Sequence, residues 1–428
     1  MQSESAGRPD SSKRYAYFVF TLLFLLYMFD YIDRMVVVSL FPFIKADWGL
    51  SDAQLGLLVS AVYWSILVFT LPTSILVDRW SRKYSVGLMA TLWSLATAAC
   101  ALTRSFPQLF AARTAVGLGE AGYAPGGAAM LSALFPEESR ARVQGLWNAS
   151  IPLGSALGIA LGGLIAQHWG WRHAFGLVAL PGMIVALLFF RVKDYRTVDL
   201  VRTVGQGDNR RQVPMKIRDI ALAFAANRTL LFNNLAFAAC TFVTTSLLSW
   251  LPSYFNRLEG MAMDKAGLKS GSIMLLAIIG APLGGWLADR WRRRTVRARL
   301  LLPALSSLLA AILLWVALGL LRGDAQYPVL LLCGVAASAF IPSAVAVTQD
   351  VVHPGLRAVS LSINIITQHI LGSSIGPVFI GYLSDRHGLA AAMTILPAFS
   401  LVAAVLFFIG SFFYAGDLDR VEKVEIVL

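Results

Sequence analysis

The sequence predicts an all-α membrane protein with twelve transmembrane helices in two pseudo-symmetric six-helix bundles. Three observations carry this. The 428 residues are 57% hydrophobic and only 14% charged, where soluble proteins hold about 25% charged residues. Apolar stretches near or above the roughly 20 residues that a spanning helix needs recur along the whole chain. A ten-residue pattern also repeats: Ser74-Ile-Leu-Val-Asp78-Arg79-Trp80-Ser81-Arg82-Lys83 returns as Gly285-Trp-Leu-Ala-Asp289-Arg290-Trp291-Arg292-Arg293-Arg294, offset by 211 positions.

In chain order the predicted spans are 15–41, 53–77, 84–103, 106–131, 143–167, 172–190, 230–255, 266–288, 298–321, 327–348, 359–383 and 389–413. Lys13 and Arg14 precede a first apolar run too long for a signal-peptide core, with no small-residue cleavage site behind it, so it reads as a retained helix. The organisation that follows is a cytoplasmic N-tail (1–14), an N-terminal six-helix bundle (15–190), a cytoplasmic linker (191–229), a C-terminal six-helix bundle (230–413) and a cytoplasmic C-tail (414–428). The linker carries nine Lys/Arg with Gly205, Gly207 and Pro214, and residues 215–226 suggest a surface-lying helix. The repeat extends further: Arg140-Ala141 before span 5 returns as Arg357-Ala358 before span 11, and Gly154 and Gly158 return as Gly372 and Gly376.

Loop charges set the orientation. With both termini inside, and charges near span ends counted with the adjoining loop, the cytoplasmic segments hold 26 Lys/Arg and the outer segments 8, with Arg34 and Arg113 deeper inside spans. That asymmetry is the positive-inside pattern, which puts both termini in the cytoplasm; the expected location is a bacterial-type inner (plasma) membrane. The net charge of +12 is thereby explained by orientation and anionic lipid, with no nucleic acid required. Cys100, Cys240 and Cys333 all fall inside predicted spans and suggest neither a metal site nor a disulfide framework.

The chemistry concentrates in the first half. Arg113 and Glu120 stand in an apolar segment, seven residues apart, so they share one helix face about 10.5 Å apart along the axis. Ionisable groups at membrane depth are costly and are functional candidates, and the alternative is a structural ion pair locking helices together. Gly117 and Gly119 between them admit a neighbouring backbone. Span 1 carries Phe29-Asp30-Tyr31-Ile32-Asp33-Arg34. Counting from the span ends puts Arg34 and Arg113 at similar depth, roughly 10 and 12 Å from the outer face. Two guanidiniums at one level make a bidentate anion clamp, with Tyr31 and Tyr123 nearby. Glu120, two turns deeper, can exchange a proton as its surroundings alternate between dry and wet. Asp33 is a second candidate carrier, and Asp30, spaced i,i+4 to Arg34, competes with it as carrier or as intrahelical partner.

The Asp-Arg-x-x-Arg-Lys/Arg loop after span 2, and its copy after span 8, resemble the signature of the major facilitator superfamily, and the resemblance covers essentially the whole chain. It implies the major facilitator fold, a site near midplane and alternating access. Asp78, Arg79, Arg82, Asp289, Arg290 and Arg293 become candidate gating residues, the alternative being plain positive-inside anchors. Ser74 departs from the usual glycine. In span 5, Gly145, Gly154, Gly158, Gly162 and Gly163 keep the spacing associated with antiporters, with Ile159 where a proline is expected; small residues at that spacing make a face for close helix packing.

Two branches of the superfamily share the charge layout. Spinster-like transporters, associated with lysophospholipids and sphingosine phosphate, resemble the chain at Gly119-Glu120-Ala121-x-Tyr123, at Ile151 to Gly158, and at Trp171-Arg172-x-x-Phe175-Gly176 with Leu180-Pro181-Gly182. The anion:cation symporters, which take sugar acids and other carboxylates, resemble it at Tyr31-Ile32-Asp33-Arg34 and Phe135 to Arg140. In both, an Asp-Arg pair in helix 1 and an arginine seven before a glutamate in helix 4 are implicated in proton coupling and anion binding. These carry onto Asp33, Arg34, Arg113 and Glu120, and the resemblance favours Asp33 over Asp30. The longer match, through spans 4 to 6, is the spinster-like one.

The second half offers uncharged polar groups instead, with Asn233, Thr241, Asn364 and Gln368 as candidate contacts for the neutral portion of a substrate. Ordinary interhelical hydrogen bonding is the competing role for each. The sequence thus predicts a monomeric, proton-coupled secondary transporter of an organic, amphipathic, lysolipid-like anion, without a cofactor. The alternative is a proton symporter of small carboxylates or sugar acids. An intramembrane enzyme finds no support in His-Glu-x-x-His, Gly-x-Ser-x-Gly or a phosphate-binding loop, and the lack of a nucleotide motif makes the transport secondary. A channel would differ in being unable to concentrate its substrate.

Overall fold

The computed structural model describes residues 13–135, 137–194, 227–352 and 357–420. Those residues are helical nearly throughout, with no strand among them. The linker helix suggested for 215–226 lies outside the described residues.

The first-half helices are α1 (Lys13–Trp48), α2 (Asp52–Arg79), α3 (Arg82–Cys100), α4 (Phe106–Glu120), α5 (Tyr123–Leu134), α6 (Glu137–Asn148), α7 (Ser150–Trp169) and α8 (Trp171–Phe189). The second half holds α9 (Arg228–Glu259), α10 (Met263–Leu275), α11 (Ala277–Arg292), α12 (Ala298–Trp315), α13 (Gln326–Ala339), α14 (Ile341–Asp350), α15 (Arg357–Gln368), α16 (Gly376–His387), α17 (Leu389–Met393) and α18 (Leu396–Asp419). Among the described residues ten helical runs are long and apolar enough to cross a membrane. The other two predicted spans are present as helix but are more polar or divided: α3 opens on Arg82 and Lys83, and span 4 is split between α4 and α5.

The split has a local cause. Pro125 lacks an N–H and its ring crowds the carbonyl four residues back, which is Ala121, where α4 ends. Glu120 is therefore the last residue of its helix. Pro152 divides the fifth span in the same way, ending α6 at Asn148. This also corrects the reading of Gly145: it sits on α6, with nothing within 4 Å of where a Cβ would stand, and takes no part in the glycine face. At the C-terminal end α18 runs past the predicted boundary at 413 to Asp419. Tyr414 there donates to Asp350 Oδ2 at 2.8 Å, and Asp417 Oδ2 accepts from Thr229 N and Oγ1 at 3.0 and 2.7 Å.

By packing, the described chain forms two compact units. Among the described residues, the first gathers those before 195 with 245–278 and 374–393, and the second gathers 227–244, 279–373 and 394–420. The first unit's core is aromatic-rich, built on Leu23, Leu26, Trp93, Trp147 and Phe189. Its closest helix pair is α1 against α7. A Cβ on Gly154, Gly158 or Gly162 would overlap the carbonyl of Met28, Ile32 or Val36 respectively. Three small residues at four-residue spacing thus fix α7 against the stretch of α1 that carries Asp30, Asp33 and Arg34. The second unit's core is built on Phe237, Leu300, Phe340, Phe407 and Tyr414.

Candidate functional site

The first unit holds five ionisable side chains in one buried cluster. Asp30, Asp33 and Arg34 come from α1, Arg113 and Glu120 from α4, and none exceeds 7% exposure. α4 is held close enough to deliver its two because Gly117 packs directly on the Val62 carbonyl of α2 and Gly119 on the Trp93 backbone of α3.

Arg34 is the hub. Its Nη2 lies 2.7 Å from Glu120 Oε2 and 3.1 Å from Asp30 Oδ2. The Asp30 contact is a hydrogen bond; the Glu120 contact is a close ion pair outside hydrogen-bond geometry. The face of the Arg34 guanidinium is covered by Tyr31, its ring centroid 4.5 Å from Cζ, and by Tyr63 at 5.5 Å. Both placements suit a cation stacked on aromatic faces.

Arg113 behaves differently. Its Nε donates to the Leu58 carbonyl at 3.2 Å, Nη1 to the Asp33 carbonyl at 2.9 Å and Nη2 to the Arg34 carbonyl at 2.9 Å. Each nitrogen of the fork is thus engaged on backbone of α1 or α2. The Arg113 fork reaches the main chain of Asp33 and Arg34 and is spent on their carbonyls, so the two guanidiniums do not form the predicted clamp. Asp33 itself is fully buried; Thr97 and the Arg113 guanidinium are its polar neighbours, and among the described residues neither of its oxygens reaches a donor in hydrogen-bond geometry.

Three carboxylates against two guanidiniums leave one uncompensated negative charge if every group is ionised. Isolated charge at such depth is expensive, so one carboxyl proton is what neutralises the cluster.

The remaining candidates are distributed. Tyr123 is 1% exposed and packs in the core against Trp93, with ring centroids 5.3 Å apart; its hydroxyl donates to the Leu23 carbonyl at 2.5 Å. In the second unit, Asn364 Nδ2 donates to Asn234 Oδ1 at 2.8 Å, Gln368 Nε2 to Asn364 Oδ1 at 2.5 Å, and Thr241 Oγ1 lies 3.3 Å from Gln368 Oε1. Gln368 ends α15 and opens onto a π-helical turn, His369–Ser373, an irregularity that recurs at functional sites. Asn233 stands apart, donating to the Ala344 carbonyl at 3.2 Å.

Among the gating candidates, the side chains of Asp78 and Arg79 lie outside the described residues. Arg82 is half-buried at the start of α3. Asp289 is 71% exposed and 3.5 Å from Arg299, which also reaches Asp350 at 3.4 Å. Arg290 lies over the Trp286 ring and Arg293 is exposed. Sequence reasoning missed Tyr63 and Thr97, because neither stands near a charge in the sequence; each enters through the packing of α2 or α3 on α1.

A sequence model of the Major Facilitator Superfamily matches residues 23–377. The chain belongs to the Major Facilitator Superfamily. As a superfamily member it is an integral membrane transporter and not an enzyme. It is 27% identical to a hexuronate transporter of Bacillus subtilis over 65% of this chain and 66% of that one. It is 26% identical to the protein spinster of Drosophila melanogaster over 89% of this chain and 64% of that one. The matched segments thus span slightly under two thirds of either relative's own length. In fold it is similar to a bacterial homologue of the human lysosomal transporter Spinster, solved in an inward-facing, unoccupied conformation: the TM-score is 0.82 at 22% identity, covering 97% of this chain and all of that one. Spinster-like proteins and sugar-acid transporters are both among its relatives.

Proposed function

We propose that this superfamily member is a proton-coupled secondary transporter of an organic, amphipathic anion, working by alternating access with both termini in the cytoplasm. The observation that carries the reading is the buried cluster of three carboxylates and two guanidiniums. One carboxyl proton makes it neutral, and an arriving anion changes that balance. An anion that draws Arg34 away from Glu120 leaves Glu120 short of its counter-charge, which favours proton uptake there. The substrate and the proton are thereby linked through one guanidinium. Asp33, the one carboxylate of the cluster that makes no ion pair among the described residues, holds the proton at rest, and Arg34 is the anion's partner, with Tyr31 and Tyr63 flanking it. Arg113 fixes the positions of Asp33 and Arg34 through their own carbonyls. The Asp78 and Asp289 loops gate the terminal side in this reading.

A second reading is proton symport of a hydroxylated carboxylate. The amide chain Asn234–Asn364–Gln368 favours it, because side-chain amides supply the paired donors and acceptors that sugar hydroxyls use, and one relative is named for hexuronate.

Thermal denaturation of the purified protein against a panel of lysophospholipids, sugar acids and small carboxylates separates the two. Stabilisation by a lysolipid, lost in Arg34→Gln, is the expected result. Stabilisation by sugar acids alone selects the second reading. Proteoliposomes loaded with the stabilising anion then test coupling: an imposed pH gradient must drive its accumulation, and accumulation indifferent to that gradient overturns proton coupling.

A further inference from the structure

A second ionic constellation lies at the ends of α1, α2, α9 and α16 remote from both termini, on the outer side by loop charge, and none of its members belongs to the Arg34 cluster. Asp52 opens α2 and is 2% exposed. Its Oδ1 accepts from Lys45 Nζ at 2.6 Å and from Arg257 Nη2 at 2.9 Å; its Oδ2 accepts from Arg257 Nη1 at 2.7 Å and from Ser384 Oγ at 2.5 Å. The arginine contact is bidentate, the geometry that combines strength with directional specificity. One residue on, Asp385 accepts from the backbone N–H of Asp52 at 2.7 Å and of Ala53 at 2.9 Å, so α16 caps the free N–H groups of α2. All of these residues lie in the first unit.

The backbones beneath are in direct contact. A Cβ on Gly381 would overlap the Asp52 carbonyl, and one on Gly56 would overlap the Pro377 carbonyl. Deeper still, Ser60 Oγ donates to the Ser374 carbonyl at 2.5 Å. Trp250 Nε1 donates to the Pro377 carbonyl at 2.9 Å, with its ring 5.1 Å from Phe41. The polar layer thus roofs a tight apolar layer joining segments from both sequence halves. Buried ion pairs add little net stability compared with apolar packing, and their value lies in selecting one geometry. A contact that has to form and part repeatedly fits that property, and Lys45, 38% exposed at its side chain, keeps water at its edge.

We propose that Asp52 is the keystone of an outer latch: with Arg257, Lys45, Ser384 and Asp385 it holds the outer ends of α2, α9 and α16 together, and its release opens the route from that side. This rests on the alternating-access reading above. The test uses full-length protein with Cys100, Cys240 and Cys333 replaced by serine and Ser60→Cys placed under the latch. The rate of labelling by a membrane-impermeant maleimide added from the outer side is measured, and Asp47→Cys, at an exposed position outside the latch, calibrates access. Asp52→Asn and Arg257→Gln, which attack the same contact from opposite sides, are each expected to raise Ser60→Cys labelling by roughly tenfold or more. The double variant should exceed neither single. Ser384→Ala, removing one hydrogen bond, gives a smaller rise and carries the test should Asp52→Asn not fold. Labelling at the parent rate in every variant that folds overturns the latch. The assay needs neither substrate nor pH gradient, so that failure leaves the coupling proposal standing, and a failure of coupling leaves the latch standing.

Discussion

Arg34 Nη2 stands 2.7 Å from Glu120 Oε2, joining the first helix to the last residue before the break in the fourth. Because the same nitrogen also holds Asp30 at 3.1 Å, one guanidinium serves two carboxylates. Any ligand that takes a share of Arg34 must alter the charge balance of both.

Glu120→Gln removes one of the three carboxylates and leaves two against two guanidiniums, a cluster that is neutral without an added proton. Accumulation of substrate driven by a pH gradient should therefore fall to the passive level. Substrate exchange across the membrane, which needs no net proton movement, should persist. Comparing gradient-driven uptake with counterflow in the same proteoliposomes checks this, and gradient-driven accumulation at the parent level would remove Glu120 from the coupling step.

Arg113→Lys keeps the charge and loses the fork. A single ammonium cannot span the carbonyls of Leu58, Asp33 and Arg34, so at least one charge-assisted hydrogen bond is lost, at a cost of about 1.5–3 kcal/mol. The expected outcome is a lower melting temperature in detergent, with or without ligand. Arg34→Lys should melt closer to the parent and instead weaken anion binding. Equal melting temperatures for Arg113→Lys and the parent would show that the fork is not what positions Asp33 and Arg34.

In the second unit, Asn364→Leu breaks the chain between Asn234 and Gln368 while preserving bulk. Two amides lose their shared partner, a cost of about 1–2 kcal/mol in a membrane interior. If those amides contact substrate, apparent affinity falls several-fold while the dependence of uptake on the pH gradient stays unchanged. An unaltered affinity across the substrate panel would assign the chain to helix packing alone.

How much of this was legible in the sequence differs by residue, and the difference is physical. The apolar spans and the Asp30–Arg34 contact follow from hydropathy and from four-residue spacing, which act within one helix and need no tertiary information. The superfamily was legible because the repeated Asp-Arg loops sit at fixed places between spans. The direction of the Arg113 fork was not, since it is set by which carbonyls α1 and α2 bring within reach once Gly117 lets α4 approach. Asp52, Arg257 and Asp385 read as ordinary loop charges along the chain, 205 and 333 residues apart from first to second and first to last, and only packing makes them one network.

The glycine face gives the sharpest contrast of neighbours. Gly158→Val would drive a branched side chain into the Ile32 carbonyl of α1, next to Asp33 and Arg34. Overpacking of this kind costs about 1–3 kcal/mol even where a core can adjust, and two backbones held by consecutive glycines have little freedom to do so. Gly145→Val, thirteen residues earlier, meets open space. The expected result is loss of monodisperse protein on size exclusion for Gly158→Val and parent-like behaviour for Gly145→Val. If Gly158→Val instead eluted and melted like the parent, α1 and α7 would have to be separable at this level. The spacing of α1 against α7 would then not be what presents the carboxylates to Arg34 and Arg113.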